Sequence, residues 1–165
     1  MAAPVAVSTY AAILAAPLGL HVKLGVRLQQ QAVCGIDFLS LRHADIAPAT
    51  AFAQRVVDQL LRYFSHPRQR FSIPLLLQGT PFQKRVWDAL LKLPAGATIS
   101  YGALAAQLAT GARAVGNACR ANPVPIIVPC HRIVAYNGLG GYSGAIAGTQ
   151  LGIKRWLLEH ERHAG

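Results

Sequence analysis

The chain has 165 residues, of which 53% are hydrophobic and 13% are charged. This length suits one domain, or a small appendage plus one domain, and the composition excludes a wholly disordered protein. No apolar run reaches the ~18 residues that a membrane-spanning helix needs.

The charge of the chain is strongly positive. Sixteen Lys and Arg residues stand against six Asp and Glu residues, and residues 89–158 contain no carboxylate at all. A basic surface attracts polyanions, above all nucleic acid, which makes DNA or RNA the first partner to consider. A basic protein without such a partner is the alternative.

The N-terminus and the cysteines exclude other classes. The stretch "MAAPVAVSTYAAILAAPLGL" lacks the Lys or Arg of a signal peptide, so we expect a mature, cytoplasmic protein. Cys34, Cys119 and Cys130 are odd in number and form no C-x-x-C pair, which argues against a disulfide framework and a zinc ribbon. The six histidines show no paired ligand spacing, and we predict no metal site.

Residues 17–40 carry Val, Leu and Ile in partial alternation with polar residues. This pattern predicts strands, with turns at Gly19 and near residues 29–31. Residues 50–64 have helical spacing instead, and the predicted apolar face consists of Phe52, Val56, Val57, Leu60, Leu61 and Phe64. The segment "SHPRQRFSIPLLLQG" is predicted to be an extended link.

A helix is predicted to begin after Thr80. Thr80 is placed to be the N-cap, Pro81 is suited to the first helical position, and Gln83 completes a capping box. Pro94 and Gly96 are predicted to end this helix. Its predicted apolar face consists of Phe82, Val86, Trp87, Leu90 and Leu91.

Two shorter helices are predicted next. Ser100 is the expected cap of the first, and the second covers "ARAVGNACRA" until Asn122-Pro123 stops it. The tight turn at residues 110–111 gives the pair the spacing of a helix-turn-helix.

The second of these helices carries mostly small side chains, with Arg113 and Arg120 projecting from it. A helix with side chains is ~10–12 Å across, whereas the DNA minor groove is only ~6 Å wide. A helix stripped to alanine and glycine could therefore approach that groove closely. A thin helix buried against its neighbours is the alternative interpretation.

Residues 125–138, "PIIVPCHRIVAYNG", place Cys130 beside a histidine and an arginine. The thiolate is the reactive form of cysteine, and His131 could take the thiol proton if a carboxylate oriented it. Downstream of Asp88 the carboxylates are Glu159 and Glu161, so the sequence predicts a Cys–His–Glu relay. Because neighbouring side chains rarely face each other, we expect a water between the thiol and the imidazole. A packed, inert cysteine is the alternative.

The segments "GTPFQKRVW", "ISYGALA", "ARAVGNACRANPVPIIVPCHRIV" and "KRWLLEHE" closely resemble the methylated-DNA–protein-cysteine methyltransferases, the O6-alkylguanine-DNA alkyltransferases. The resemblance is detailed over residues 79–161 and looser in the N-terminal half. It implies an α+β fold, with a small ribonuclease-H-like N-terminal sheet and helix domain over residues 1–77. A C-terminal helical domain with the helix-turn-helix would cover residues 78–165.

The resemblance also implies the roles of individual residues. Cys130 would accept the alkyl group, and His131 would be its base through water. Glu161 would orient the histidine, and Asn122 would brace the active-site turn. Tyr101 would push the 3′ phosphate of the DNA and reach the minor-groove edge of the base. Arg113 would fill the gap left by a flipped guanine. The implied DNA-binding residues are Arg113, Tyr101, Arg120, Ala112 and Gly116, and the implied substrate pocket consists of Tyr142, Ser143, Pro125 and Lys154.

The implied function is DNA repair by one irreversible alkyl transfer from O6-alkylguanine to Cys130, with O4-alkylthymine as a second candidate substrate. No cofactor is expected, because the methyl group comes from the lesion. The expected partner is double-stranded DNA, bound through the minor groove by a monomer with little sequence specificity. A Cys-His hydrolase and a non-catalytic DNA-binding module remain as alternatives, although the sequence shows no oxyanion-hole signature.

Overall fold

The computed structural model describes residues 9–142 and 149–163. Its N-terminal half contains an antiparallel sheet of three strands in the order β1 (Ala12–Ala15), β2 (Lys23–Gln29) and β3 (Ala32–Leu39). Gln30 and Gln31 form the loop between β2 and β3 with φ of 53° and 57°, the left-handed conformation that a tight hairpin turn requires. The predicted turn near residues 29–31 is thus confirmed. β1 was not predicted, because its Ala-rich sequence shows no alternation.

Helix α1 (Ala51–Ser65) packs its apolar face beneath this sheet. The prediction of a helix here is confirmed, but its predicted apolar face is partly wrong: Leu61, on that face, is 47% exposed, whereas Tyr63, outside it, is 1% exposed. The reason is rotation about the helix axis, because Leu61 lies about 100° from Leu60 while Tyr63 continues the buried stripe at i+3. The buried residues of the helix are Ala53, Val56, Val57, Leu60 and Tyr63.

The link after α1 and the C-terminal half both attach to β3. Val33 N donates to Pro74 O and Leu76 N donates to Val33 O, each at 2.9 Å, so the extended link runs alongside the strand. Ile36 N donates to Pro123 O at 3.0 Å. The sheet is therefore bonded directly to the segment that leads to Cys130.

The C-terminal half contains helices α2 (Pro81–Leu91), α3 (Tyr101–Gln107), α4 (Ala112–Arg120) and α5 (Thr149–His163). The capping box at Thr80 and Gln83 and the cap at Ser100 are both present, as predicted. Two short strands, β4 (Ile99–Ser100) and β5 (Ile133–Val134), pair in parallel and tie the start of α3 to the chain after Cys130.

One cluster of buried residues connects the sheet, α1 and the C-terminal helices. Trp87 is fully buried in it, and its indole N–H donates to Ala118 O at 2.9 Å, which fixes α2 against α4. Among the described residues, no helix is both long and apolar enough to cross a membrane.

Candidate active site

Asn122, just beyond the end of α4, organises the turn that carries Cys130. Its side-chain amide nitrogen donates to Val128 O at 2.9 Å and to Cys130 Sγ at 3.1 Å, while its amide oxygen accepts from Val124 N at 2.9 Å. One side chain thereby spans the whole turn and also contacts the sulfur. Only an amide can donate and accept in this way, which explains an asparagine at this position.

The backbone of the turn is strained at Ile126. This residue is 1% exposed and has φ of 74°, a left-handed conformation that β-branched side chains rarely adopt. Such a conformation costs about 1–3 kcal/mol and persists only where the surroundings enforce it. Here the enforcing contacts are the Asn122 bonds and the Val128 N–Val124 O hydrogen bond of 2.9 Å. The strain accompanies a sharp reversal just before Cys130.

Cys130 opens a short 3₁₀ helix, Cys130–Arg132, and is 4% exposed. Burial raises the pKa of its thiol, and the Asn122 hydrogen bond and the positive charge of Lys154 offset this only in part. The thiol is therefore neutral at rest. A reaction at sulfur needs a base to remove the proton as attack proceeds.

His131 is fully buried, and its Nε2 lies 2.7 Å from Oε1 of Glu161. Burial lowers the pKa of His131 despite the neighbouring carboxylate, so the imidazole is neutral. Because an ionised carboxylate can only accept, Nε2 carries the hydrogen and Nδ1 has the lone pair. Nδ1 is buried and has no hydrogen-bond partner within the described part of the chain. This nitrogen is the basic atom of the pair.

Glu161 on α5 receives hydrogen bonds from several other groups. Arg132 donates through Nε to Oε2 at 2.9 Å and through a terminal nitrogen to Oε1 at 2.8 Å. The Tyr63 hydroxyl donates to Oε1 at 2.8 Å, and Gly96 N donates to Oε2 at 3.3 Å. Burial opposes ionisation, but the hydrogen bonds from His131 and Arg132 and the positive charge of Arg132 outweigh it and hold the pKa of Glu161 well below its usual range.

The sequence left two carboxylates as candidates for the relay, and they lie in different surroundings. Glu161 is completely buried beside His131, whereas Glu159, two residues earlier on α5, is exposed. Residues two apart on a helix point in different directions, which separates the two side chains. The structure thus brings Glu161 to the imidazole.

Lys154 is fully buried, and its ammonium donates to Gly141 O at 2.8 Å. The Tyr101 hydroxyl donates to the same oxygen at 3.3 Å, and Lys154 Nζ lies 5.8 Å from the centre of the Tyr101 ring. Desolvation lowers the pKa of Lys154 to about 8, and the nearby Cys130 and Cys119 oppose that change. Burial also raises the pKa of Tyr101 to about 12.

Of the predicted pocket residues, Tyr142 and Lys154 lie close enough to the sulfur of Cys130 to affect its ionisation. Tyr142 is 3% exposed, and burial first and then the neighbouring Cys130 raise the pKa of its hydroxyl. That hydroxyl has no partner with normal hydrogen-bond geometry among the described residues, yet it lies near enough to Cys130 to act on its ionisation. Pro125 is buried beside a cavity of about 260 Å³ between β3 and Asn122. Ser143 lies outside the described residues.

The residues assigned to DNA binding lie together on α4 and the adjoining start of α3. Arg113, Arg120 and Ala112 are exposed, and Gly116 is half-buried opposite Tyr101, where an added Cβ would lie 3.9 Å from the ring. The exposed face of α4 is therefore thin and basic. Its apolar residues Val115, Ala118 and Cys119 face the core.

Sequence reasoning missed two side chains that bind Glu161. Arg132 was visible in the motif but received no role, although an arginine beside a reactive Cys-His pair is a natural partner for the carboxylate. Tyr63 gave no signal, because an aromatic residue in an amphipathic helix indicates packing. Among the residues described, no cluster of three or more His, Cys, Asp or Glu side chains could hold a metal.

The chain is similar to known proteins in both sequence and fold. Residues 81–163, about half of the chain, match the model of the family described as 6-O-methylguanine DNA methyltransferase, DNA binding domain. A Mycobacterium tuberculosis protein named methylated-DNA–protein-cysteine methyltransferase is 50% identical over 109 residues, which are 64% of this chain. The matched segment spans 63% of that relative, which is less than two thirds of its length.

Solved structures match over more of the chain. The crystal structure of M. tuberculosis O6-methylguanine methyltransferase has a TM-score of 0.77 at 36% identity and covers 93% of this chain and 92% of its own. The structure of M. tuberculosis OGT in complex with DNA has a TM-score of 0.75 at 37% identity, and it too covers 93% of this chain and 92% of its own. With the family model matching the half that holds Cys130, His131 and Glu161, the chain belongs to the 6-O-methylguanine DNA methyltransferase family.

Proposed function

We propose that this protein repairs DNA by transferring the alkyl group of O6-alkylguanine to the sulfur of its own Cys130, once per molecule. The observation that carries the proposal is the combination of a buried sulfur contacted by Asn122 with a buried His131–Glu161 pair whose free nitrogen is Nδ1. Membership of the family and the names of the relatives support the same activity.

The reaction balances without a cofactor. The sulfur attacks the alkyl carbon, a sulfur–carbon bond forms, and the bond from carbon to guanine O6 breaks. The thiol proton passes through a water to Nδ1 of His131, and Glu161 stabilises the imidazolium that forms. The electron pair of the broken bond stays on guanine, which takes up one proton as it leaves, while the imidazolium releases the proton that it took from the thiol, so no proton is gained or lost overall. The products are a thioether on the protein and an unmodified guanine.

The magnitudes show where the rate acceleration arises. Complete ionisation of a thiol with pKa ~8.5 would gain only ~1.4–2 kcal/mol near neutral pH. Correct positioning of thiolate and carbon can contribute up to ~7–11 kcal/mol. Because burial raises the pKa of Cys130, removal of the thiol proton by the relay contributes more to the rate here than it would for a free thiol. The pocket geometry remains the larger contribution.

The DNA would be bound through the minor groove by α4, acting as the second helix of a helix-turn-helix. The target nucleotide must leave the stack, at a cost of a few kcal/mol, and an inserted Arg113 would offset part of that loss. Tyr101 and Arg120 would contact the backbone, and the thin surface at Ala112 and Gly116 would allow close approach.

We also propose how the chain is divided into domains, where the protein acts and its oligomeric state. A ribonuclease-H-like N-terminal domain over residues 1–77 would support an alkyl-acceptor domain over residues 78–165, and the protein would act as a cytoplasmic monomer. A DNA-bound relative of similar fold supports the DNA partner.

The decisive experiment uses duplex DNA with a labelled O6-methylguanine. The proposal predicts label on the peptide that contains Cys130, in at most one equivalent per protein. Cys34→Ser is the matched control and should transfer normally, whereas Cys130→Ser should transfer nothing and still bind DNA. Label released into solution would instead indicate a Cys-His hydrolase, and binding without any transfer would indicate a DNA-binding module.

A further inference from the structure

The N-terminal half of the chain contributes a side chain to the relay. Tyr63, on α1, is 1% exposed, and its hydroxyl donates to Oε1 of Glu161 at 2.8 Å. Its ring lies 5.6 Å from the ring of Phe71 and 5.6 Å, edge to face, from that of His160. Aromatic neighbours on two sides fix the ring, so the hydroxyl is held in one place.

Within the described part of the chain, three donors share Oε1 of Glu161. They are Nε2 of His131 at 2.7 Å, a terminal nitrogen of Arg132 at 2.8 Å and the Tyr63 hydroxyl at 2.8 Å. A carboxylate offers about four lone-pair positions, roughly two on each oxygen. Three donors on one oxygen therefore compete, and each reduces the negative charge that the other two experience.

The competition bears on the protonation of His131. Burial is the main cause that lowers the pKa of His131; of the neighbouring groups, Glu161 favours the imidazolium, whereas Arg132 and Lys154 disfavour it by their positive charges. Cys130 is a neutral thiol at rest, and the Tyr142 hydroxyl is protonated. Because the Tyr63 hydroxyl is held far from ionisation by its burial and by Glu161, it always acts as a donor.

We propose that Tyr63 is a positioning residue of the relay: by sharing Oε1 of Glu161, its hydroxyl weakens the attraction between the carboxylate and His131 and thereby adds to the effect of burial, which keeps the imidazole neutral. A neutral imidazole has a free Nδ1 lone pair and can accept the proton of Cys130. Without the hydroxyl, Oε1 would bind the Nε2–H more strongly and would stabilise the imidazolium at rest. This inference deepens the proposed alkyl transfer and rests on it.

The test compares Tyr63→Phe with the unaltered protein in single-turnover transfer over a range of pH. Phenylalanine keeps the buried ring and removes only the hydroxyl. We expect the acid limb of the rate profile to move to higher pH by about half to one unit, which lowers the rate on that limb about threefold to tenfold. At high pH, where His131 is neutral in both proteins, the rates should converge.

The matched control is Tyr10→Phe, which removes a hydroxyl that donates to Asp37 Oδ2 at 2.9 Å in the N-terminal sheet, away from the relay. Its profile should coincide with that of the unaltered protein. A uniform loss of rate in Tyr63→Phe without movement of the limb would show a purely structural role and would overturn the proposal. A limb that moves to lower pH would overturn it as well.

A second measurement does not depend on alkyl transfer. Titration of the His131 ring in DNA-free protein, followed by NMR of labelled histidine, should show a higher midpoint in Tyr63→Phe. If the unaltered protein proved unable to transfer alkyl groups, the proposed function would fail while this titration still tested Tyr63. An unchanged midpoint would refute the role of Tyr63 whether or not transfer occurs.

Discussion

Nε2 of His131 lies 2.7 Å from Oε1 of Glu161, and both side chains are completely buried. The same carboxylate forms a buried ion pair with Arg132. The group that orients the proposed base is therefore also the counter-ion of a buried guanidinium. If the proposed relay operates, the stability of the fold and the rate of alkyl transfer both depend on Glu161.

The first prediction concerns removal of this charge. Glu161→Gln should lower the free energy of unfolding by about 3–5 kcal/mol, because it leaves the guanidinium of Arg132 buried without a counter-ion. Urea unfolding followed by tryptophan fluorescence measures the change. Glu159→Gln is the matched control on the same helix, and its exposed side chain should cost little. Equal losses in the two variants would contradict a special role for Glu161.

The second prediction concerns stability in acid. The folded-state pKa of Glu161 is depressed, so its contribution is complete above the unfolded value of ~4.3 and is lost as the pH falls below it. The folded-state pKa of His131 is also lowered, so its unfolded form binds protons first, below pH ~6.5. Both groups therefore lower the stability of the folded protein as the pH falls.

We therefore expect the urea midpoint to decline slowly from about pH 6.5 and more steeply below about pH 4.5. In Glu161→Gln the steep part should be reduced, because the carboxylate responsible for it is gone. A midpoint that stayed level from pH 7 to pH 4 would contradict the buried neutral histidine and the buried carboxylate alike.

The third prediction concerns the turn around the nucleophile. Asn122→Asp keeps the shape of the side chain but removes both hydrogen bonds donated to Val128 O and Cys130 Sγ. A carboxylate there would also repel a developing thiolate, so transfer should slow by at least about tenfold, or ~1.4 kcal/mol. Titration of the thiol by its ultraviolet absorbance should show a pKa above that of the unaltered Cys130.

Asn137→Asp makes the same chemical change at an exposed position. It should leave both the transfer rate and the thiol titration unchanged. If the Asn122 variant reacted as fast as the Asn137 variant, the amide contact with the sulfur would have no catalytic importance.

The fourth prediction concerns the exposed arginine of α4. Arg113→Ala should slow transfer from duplex DNA much more than transfer from a single strand, where little stacking is lost when the base leaves. Quench-flow measurement on the two substrates gives the ratio of the duplex rate to the single-strand rate directly. Arg62→Ala, an exposed arginine on α1, is the control and should not change that ratio. Equal slowing on both substrates would assign Arg113 to the pocket or the fold instead.

The sequence predicted the local features of this protein better than its long-range contacts. The capping box at Thr80 and the hairpin turn after β2 depend on residues close together in the chain, and both were readable. The contact of Tyr63 with Glu161 joins residues 98 positions apart, and no local pattern encodes it. The assignment of Lys154 rested on resemblance alone, and only the folded chain shows it bonded to Gly141 beside Cys130.

The last prediction concerns the protein after it has reacted. A methyl group on Cys130 would have to fit a site that is 4% exposed, with Asn122 3.1 Å from the sulfur and Tyr142 buried beside it. Overpacking of this kind costs ~1–3 kcal/mol, which corresponds to a fall in Tm of roughly 2–12 °C for a chain of this size. Calorimetry of protein reacted with methylated DNA and then freed of it measures the fall. Cys130→Ser treated identically should show none, and an unchanged or higher Tm in the reacted protein would mean that the pocket already has room for the methyl group.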